Sequence, residues 1–346
     1  MTDDFQLVVR PKRRQKFRKA KQFKDGIISF GSSLTPESQE SKQSILQKLQ
    51  KCRNEIELSD FYTKFQEILV KKISECFLSC HYEELMTATD CGVSNETFGE
   101  ISPEHNTSLE ETFKHLLSLQ DDTSSLGHQG LPKDESSSQL KMEECITQLA
   151  QLKLELVAYG VGHFAECKIA QYQLALMMAI CDQFKLSLYQ CYTYDPVWSD
   201  IEKSVIHSIG VSLVSKNEEG KRSCLSNKLT LFLMPHCGTA LYNNLLWANW
   251  NPSQLRNLII IGNSFQNLVD RHSDKDLQEK AAYIYKIYPA TEEIALSNTF
   301  VYSDIFNDTS IHCFPMKNLK KLPEDLWLDR SEPNYNLSDI EIIVNK

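Results

Sequence analysis

The chain is predicted to be an α/β protein: a Rossmann-like, mostly parallel sheet with helices on both faces, preceded by N-terminal helices. Two observations carry this. From about Leu140 onward short apolar runs alternate with helical patterns, the signature of βαβ units joined by right-handed crossovers and covered on both sides. Several of these apolar runs also end in Gly, Asp or Pro, the residues that turn a strand into the next helix.

The elements follow in order. Leu154–Tyr159 is an apolar strand ending at Gly160-Val161-Gly162, and a short helix over Met142–Leu152 precedes it. Residues Ala165–Gln183 form a helix apolar on nearly all sides, as burial between a sheet and another layer requires. A strand over Leu186–Tyr194 closes at Asp195-Pro196. Ser199 caps a helix over Asp200–Ile209, Gly210 stops it, and Val211–Val214 returns as a strand. A polar turn, Asn217-Glu218-Glu219-Gly220-Lys221, leads to a strand over Leu229–Met234 that ends at Pro235-His236-Cys237. Thr239–Trp250 reads as a helix and Leu258–Ile261 as a strand ending in Gly262-Asn263-Ser264-Phe265. Ala281–Ile287 is helical until Pro289, Ile311–Phe314 is a late strand for the sheet edge, and Asp325-Leu326-Trp327 is a closing anchor.

The 346 residues divide into a basic tail (1–44), N-terminal helices (45–86), a polar linker or insertion (87–139), the α/β domain (140–330) and a C-terminal tail (331–346). In the second segment Ile45, Leu49, Ile56, Phe61, Phe65, Leu69, Ile73 and Phe77 recur at mostly helical steps, broken near Leu58–Asp60, where Ser59 or Asp60 could cap a second helix. The linker is rich in Ser, Thr, Asp, Glu, Gly and Pro and too long to sit unpatterned inside a compact domain.

Charge separates the tail from the rest. Residues 10–24 hold nine Lys or Arg and no acid, so the formal charge of -9 leaves 28 basic against 46 acidic residues elsewhere, a balance of -18. That body repels nucleic acid and acidic membranes. Nucleic acid is expected only at the tail, where the basic run could be an import signal, an RNA contact or a solvated arm. The longest strongly apolar run, Leu174–Cys181, is too short to span a bilayer. The 11 cysteines are odd in number and follow no secretory pattern, which implies a reducing compartment, the cytoplasm with the nucleus as a second candidate location. Cys76, Cys80 and His81 lack a second spaced pair, so no metal site is expected.

Ligands of open α/β sheets bind beyond the carboxyl ends of the strands, which makes each strand-ending motif a candidate. Gly160 and Gly162 sit in G-x-G-x-x-A, where backbone N–H groups can receive a phosphate or a methionine-type cofactor; the same glycines equally make a tight turn. Asp195 stands where an acid accepts ribose hydroxyls, although 33 residues past Gly162, and it equally caps the next helix. His236 could be an acid or base and Cys237 a nucleophile; Asn243 and Asn244 could hold a planar ligand. Capped helix structure with amide packing accounts for the same residues. Asn263 closes another strand. No catalytic residue is assigned and the cofactor is unknown.

At these residues the chain resembles the sensitivity-to-red-light-reduced family, named for a plant clock and light-signalling regulator. The resemblance lies in Tyr159-Gly160-Val161-Gly162-His163-Phe164, Gln171-Tyr172-Gln173, Tyr194-Asp195-Pro196-Val197, Asn217-Glu218-Glu219-Gly220-Lys221, Met234-Pro235-His236-Cys237, Leu241-Tyr242-Asn243-Asn244 through Trp250, and Ile260-Ile261-Gly262-Asn263-Ser264-Phe265. It implies a regulatory protein of circadian rhythm, clock gene expression and heme biosynthesis, without an agreed reaction. A small ligand or a protein partner at the α/β domain is the expected means. An enzyme using an adenosine-containing cofactor, methyltransferase-like, and a purely structural adaptor are the alternatives.

Overall fold

The computed structural model describes residues 41–90, 154–225 and 228–335. The basic run at 10–24, the linker from 91 onward and the short helix expected at Met142–Leu152 lie outside the described residues.

Helix α1 (Lys42–Glu57) is capped by the Ser41 side chain, and helix α2 (Asp60–Asp90) follows after a break at Leu58–Ser59. Ser59 makes that break: its hydroxyl donates to the Ile56 carbonyl at 2.6 Å and accepts from the Tyr62 amide at 3.2 Å. The α/β domain then runs β1 (Leu154–Tyr159), α3 (Lys168–Gln183), β2 (Cys191–Tyr194), α4 (Asp200–Ser208), β3 (Ser212–Leu213) and β4 (Leu229–Met234). It continues with α5 (Thr239–Ala248), the single turn α6 (Pro252–Leu255), β5 (Leu258–Asn263), α7 (Phe265–Arg271), α8 (Asp274–Lys280), α9 (Ala282–Ile287), β6 (Glu292–Ala295), β7 (Thr309–Cys313) and the single turn α10 (Met316–Leu319).

The seven strands form one sheet in the order β3-β2-β1-β4-β5-β7-β6. The first five are mutually parallel, and β7 pairs antiparallel with both β5 and β6. Side chains of β1 alternate between two cores. Leu154, Leu156 and Ala158 enter one core with α1 to α4, while Val157 and Tyr159 enter the other with α5 and α9. Strands β1 and β4 are buried throughout, as covered parallel strands must be.

Helix α3 is buried on nearly every side because α1 covers the side turned away from the sheet. The N-terminal helices are thus part of this core. Phe61 of α2 stacks on Phe306 with ring centroids 4.5 Å apart, and Phe65, Phe300 and Tyr172 extend the aromatic contact.

Three elements depart from expectation. The strand expected over Leu186–Tyr194 is confined to Cys191–Tyr194, because Lys185 takes a left-handed conformation (φ +50°) and the Leu186 amide bonds back to the Cys181 carbonyl. The late strand is not the sheet edge: β7 inserts between β5 and β6, and the charged strand β6, which lacks an apolar alternation to announce it, takes the edge. Residues 331–335, assigned to a tail, are docked. The Tyr283 hydroxyl donates to the Ser331 carbonyl at 2.7 Å and Asn243 donates to the Tyr335 hydroxyl at 2.9 Å.

If α1 and α2 belong to the same cooperative unit as the sheet, Phe61→Ala should lower unfolding stability by about 3–5 kcal/mol in a single denaturant transition. A separate early transition that leaves the main one unmoved would show that the helices fold apart.

Candidate functional site

Strand order reverses between β1 and β4, the position where open α/β sheets leave a crevice for a ligand. Gly160 (φ +67°) and Gly162 (φ +80°) take the turn after β1 in left-handed conformations that L side chains rarely adopt. A Cβ on Gly160 would also lie 2.6 Å from the Cys237 sulfur. That thiol comes from the loop after β4 and donates to the Tyr159 carbonyl at 3.2 Å, so it plugs the floor of the crevice. Burial pushes the Cys237 thiol well up, and the nearby Asp195 charge adds to the effect, which keeps it a neutral packing group and not a nucleophile.

The turn's backbone is engaged from the β2 side. Asp195 is buried, and its Oδ2 accepts from the Gly162 amide at 2.7 Å while Oδ1 accepts from the Val197 amide at 3.0 Å. The Gly162 carbonyl accepts from the Trp198 indole at 2.7 Å, and that ring packs edge-on against Phe164. Further along, Glu202 accepts from the Ala165 amide at 3.1 Å and closes a capping box with Ser199. Burial alone would raise the Glu202 carboxyl, but hydrogen bonds from the Ser199 and Ala165 amides, the Ser199 hydroxyl and His163 outweigh it and hold the group below the usual carboxylate range. Two donors that a phosphate would use at such a turn therefore face the protein's own carboxylates.

One strand over, the loop after β4 opens on a cleft. His236 is a non-glycine residue in the left-handed region (φ +58°), a conformation costing on the order of 1–3 kcal/mol that must be held by its surroundings. Asn263, at the end of β5, does so: its Oδ1 accepts from the His236 amide at 2.7 Å and its Nδ2 donates to the Cys237 carbonyl at 3.0 Å. The imidazole is held by Gln173 of α3 at Nδ1 (3.2 Å) and Asn307 at Nε2 (2.9 Å). With Gln173 donating its amide N–H to Nδ1, the N–H at Nε2 is the one that faces the Asn307 side-chain oxygen. Tyr242, a buried phenol that donates to the Met234 carbonyl, accepts from the Asn263 amide and fills the space a Cβ on Gly262 would need.

The resulting cleft has a volume of about 500 Å³ beyond the carboxyl ends of β4 and β5. Its lining includes His236, Thr239, Asn263, Ser264, Arg271 and Asp308. Here the first turn of α5 begins at Gly238 without a side-chain cap.

Asn243 and Asn244 point elsewhere. Asn243 accepts from the Tyr283 amide at 2.8 Å and donates to Tyr335; Asn244 donates to the Glu219 carbonyl at 2.7 Å and accepts from the Tyr335 hydroxyl at 2.9 Å. These amides tie the C-terminal segment and the 217–221 turn to α5. Gly220 sits in that turn against α5, where a Cβ would lie 2.8 Å from the Leu241 carbonyl oxygen.

The seven sequence candidates thus fall into three groups. Gly160, Gly162 and Asp195 are together, but the Gly162 amide is taken by Asp195 and Gly160 packs against Cys237; His236 and Asn263 border the cleft; Asn243 and Asn244 are structural anchors. Sequence reasoning missed Trp198, Glu202, Gln173 and Asn307. Ser199 followed three residues later by Glu202 was a legible capping box, and Gln173, like Gln171, was a polar residue in the apolar middle of a helix. Among the described residues no group of three His, Cys, Asp or Glu could hold a metal ion, and no helix is long and apolar enough to cross a membrane.

The SRR1 domain matches residues 133–313, which include all seven candidates. A mouse (Mus musculus) SRR1-like protein is 43% identical over 174 residues, 50% of this chain and 68% of the relative. The Arabidopsis thaliana protein SENSITIVITY TO RED LIGHT REDUCED 1 is 33% identical over 207 residues, 56% of this chain and 74% of the relative. A Drosophila melanogaster SRR1-like protein is 30% identical over 178 residues, 51% of this chain and 61% of the relative. No solved structure matches.

Replacing Glu202 by Gln should cost about 1–3 kcal/mol at pH 7. Because the folded carboxyl lies low, its contribution is present above the unfolded value near 4.3 and is lost as pH falls through the folded value. Denaturant curves of the two proteins should therefore draw together as pH falls below about 4.3; a gap independent of pH would contradict the assignment.

Proposed function

The chain belongs to the SRR1 family, and we propose that it is a regulatory protein acting in circadian clock gene expression and in heme biosynthesis through a small ligand or protein partner bound at the α/β domain. The observation that carries the binding part is the displacement of open space from the switch point to the cleft beyond β4 and β5. A regulator that reads a ligand needs a shaped, polar recess, and His236 is held at its rim by Asn263, Gln173 and Asn307 in a conformation the backbone would not adopt unaided. The alternative, an enzyme holding an adenosine-containing cofactor on Gly162 and Asp195, would require that buried bond to break first. The nine basic residues at 10–24 support a cytoplasmic protein with access to the nucleus.

The test is rescue. Cells depleted of the protein are followed for the period and amplitude of a clock-gene reporter and for total heme, with wild type or Arg271→Trp restored at equal abundance. Arg271 lies at the cleft with its side chain 67% exposed, so tryptophan there obstructs the recess with little effect on the core. Wild type should restore both readouts and Arg271→Trp should restore less than half. Full rescue by the variant would remove the cleft from the account and favour an adaptor. In parallel, methyl-donor and dinucleotide ligands should leave unfolding unshifted; stabilisation of about 2.7 kcal/mol at a hundredfold excess over Kd would restore the enzyme reading.

A further inference from the structure

The cysteines among the described residues are free thiols, yet they are not equivalent. Cys237 and Cys224 donate to backbone carbonyls. Cys181, in the last turn of α3, and Cys191, the first residue of β2, instead face each other with their sulfurs 3.1 Å apart. We propose that Cys181 and Cys191 are a modification site: a thiol pair that hydroperoxides convert to a reversible intramolecular disulfide.

The geometry favours the bond. A disulfide needs its sulfurs at about 2.05 Å, so an approach of roughly 1 Å completes it. The turn between the two residues supplies slack, since Lys185 is its left-handed joint and no strand or helix spans residues 184–190. The two ends are anchored: the Leu186 amide bonds to the Cys181 carbonyl, and Cys191 stands opposite Leu156 of β1 in the sheet. Cys181 is the less enclosed of the two residues and Cys191 is buried, so Cys181 is the first to meet the oxidant.

The Cys181 thiolate attacks one peroxide oxygen, the O–O bond breaks, and a sulfenic acid forms as the alcohol or water leaves. The Cys191 sulfur then attacks the sulfenic sulfur, the S–O bond breaks and water departs. Two thiols are oxidised by two electrons and one hydroperoxide is reduced, giving one disulfide, one alcohol (or water) and one water. The hydrogen bond to Cys191 and burial raise the Cys181 thiol, so the first step accelerates as pH rises.

The consequence reaches the candidate site. The turn that leads into α3 and the end of β2 are already joined through Gly162 and Asp195, the latter four residues beyond Cys191. A Cys181–Cys191 disulfide closes a ring around that clamp, while α3 also carries Gln173 beneath His236.

The purified full chain provides the test. After hydrogen peroxide treatment and blocking of free thiols, trypsin separates the pair, because it cuts after Lys185; the peptides 169–185 and 186–203 each hold a single cysteine. The two should appear as one cross-linked species, two hydrogens lighter than their sum and released by dithiothreitol, with a higher melting temperature for the oxidised protein. Formation should quicken between pH 7 and pH 9. Cys191→Ser should abolish the species and leave Cys181 trapped as sulfenic acid. Both peptides alkylated as free thiols after treatment of the folded wild type, or Cys181 cross-linked elsewhere, would overturn the proposal, and that readout needs no variant to fold.

Discussion

The bond between the Asp195 carboxylate and the Gly162 amide holds the carboxyl end of the sheet in its present form. A glycine turn at a helix N-terminus exposes backbone donors, and those donors must be satisfied by water, ligand or protein. Here the protein satisfies two of them. Asp195 takes Gly162, Glu202 takes Ala165, and the Trp198 indole takes the Gly162 carbonyl, so an apolar wall of Trp198 and Phe164 closes behind them. Charge-assisted bonds of this kind contribute about 1.5–3 kcal/mol each, and breaking one from inside also strands a buried carboxylate. Cys237 completes the closure from β4.

Closing the switch point has effects one strand away. The loop that delivers Cys237 must pass through His236 in a left-handed conformation, and Asn263 brackets that residue by accepting on one side and donating on the other. Tyr242 then locks Asn263 to the end of β4. The cleft beyond β4 and β5 is the space left over when these contacts are made, with an uncapped helix start and polar side chains around it. Helix α3 connects the two regions, since it follows the glycine turn, supplies Gln173 to His236 and carries Cys181 in its last turn.

Much of the fold was legible because its signals are local. Apolar runs marked β1, β4 and β5, Ser199 marked α4, and the break at Ser59 separated α1 from α2. What failed depended on distant partners. No local pattern says that Asp195 answers Gly162, that Asn243 and Asn244 wait for Tyr335, or that β7 slips inside β6. The apolar residues Leu186 and Leu188 suggested an early start to β2, but a left-handed Lys185 and a hydrogen-bonded turn use them otherwise. The site was legible as residue types that carry chemistry and illegible as to whether that chemistry is spent inside the protein.

The most direct measurement of the central claim is native-state hydrogen exchange of the Gly162 amide, resolved by NMR with glycine labelling. An amide committed to a buried carboxylate exchanges only when the surrounding structure opens, so protection close to that of the β1 and β4 amides is predicted, falling by at least tenfold in Asp195→Asn relative to those strands. Exchange of Gly162 in the wild type at the rate of an open, ligand-awaiting loop would contradict the account.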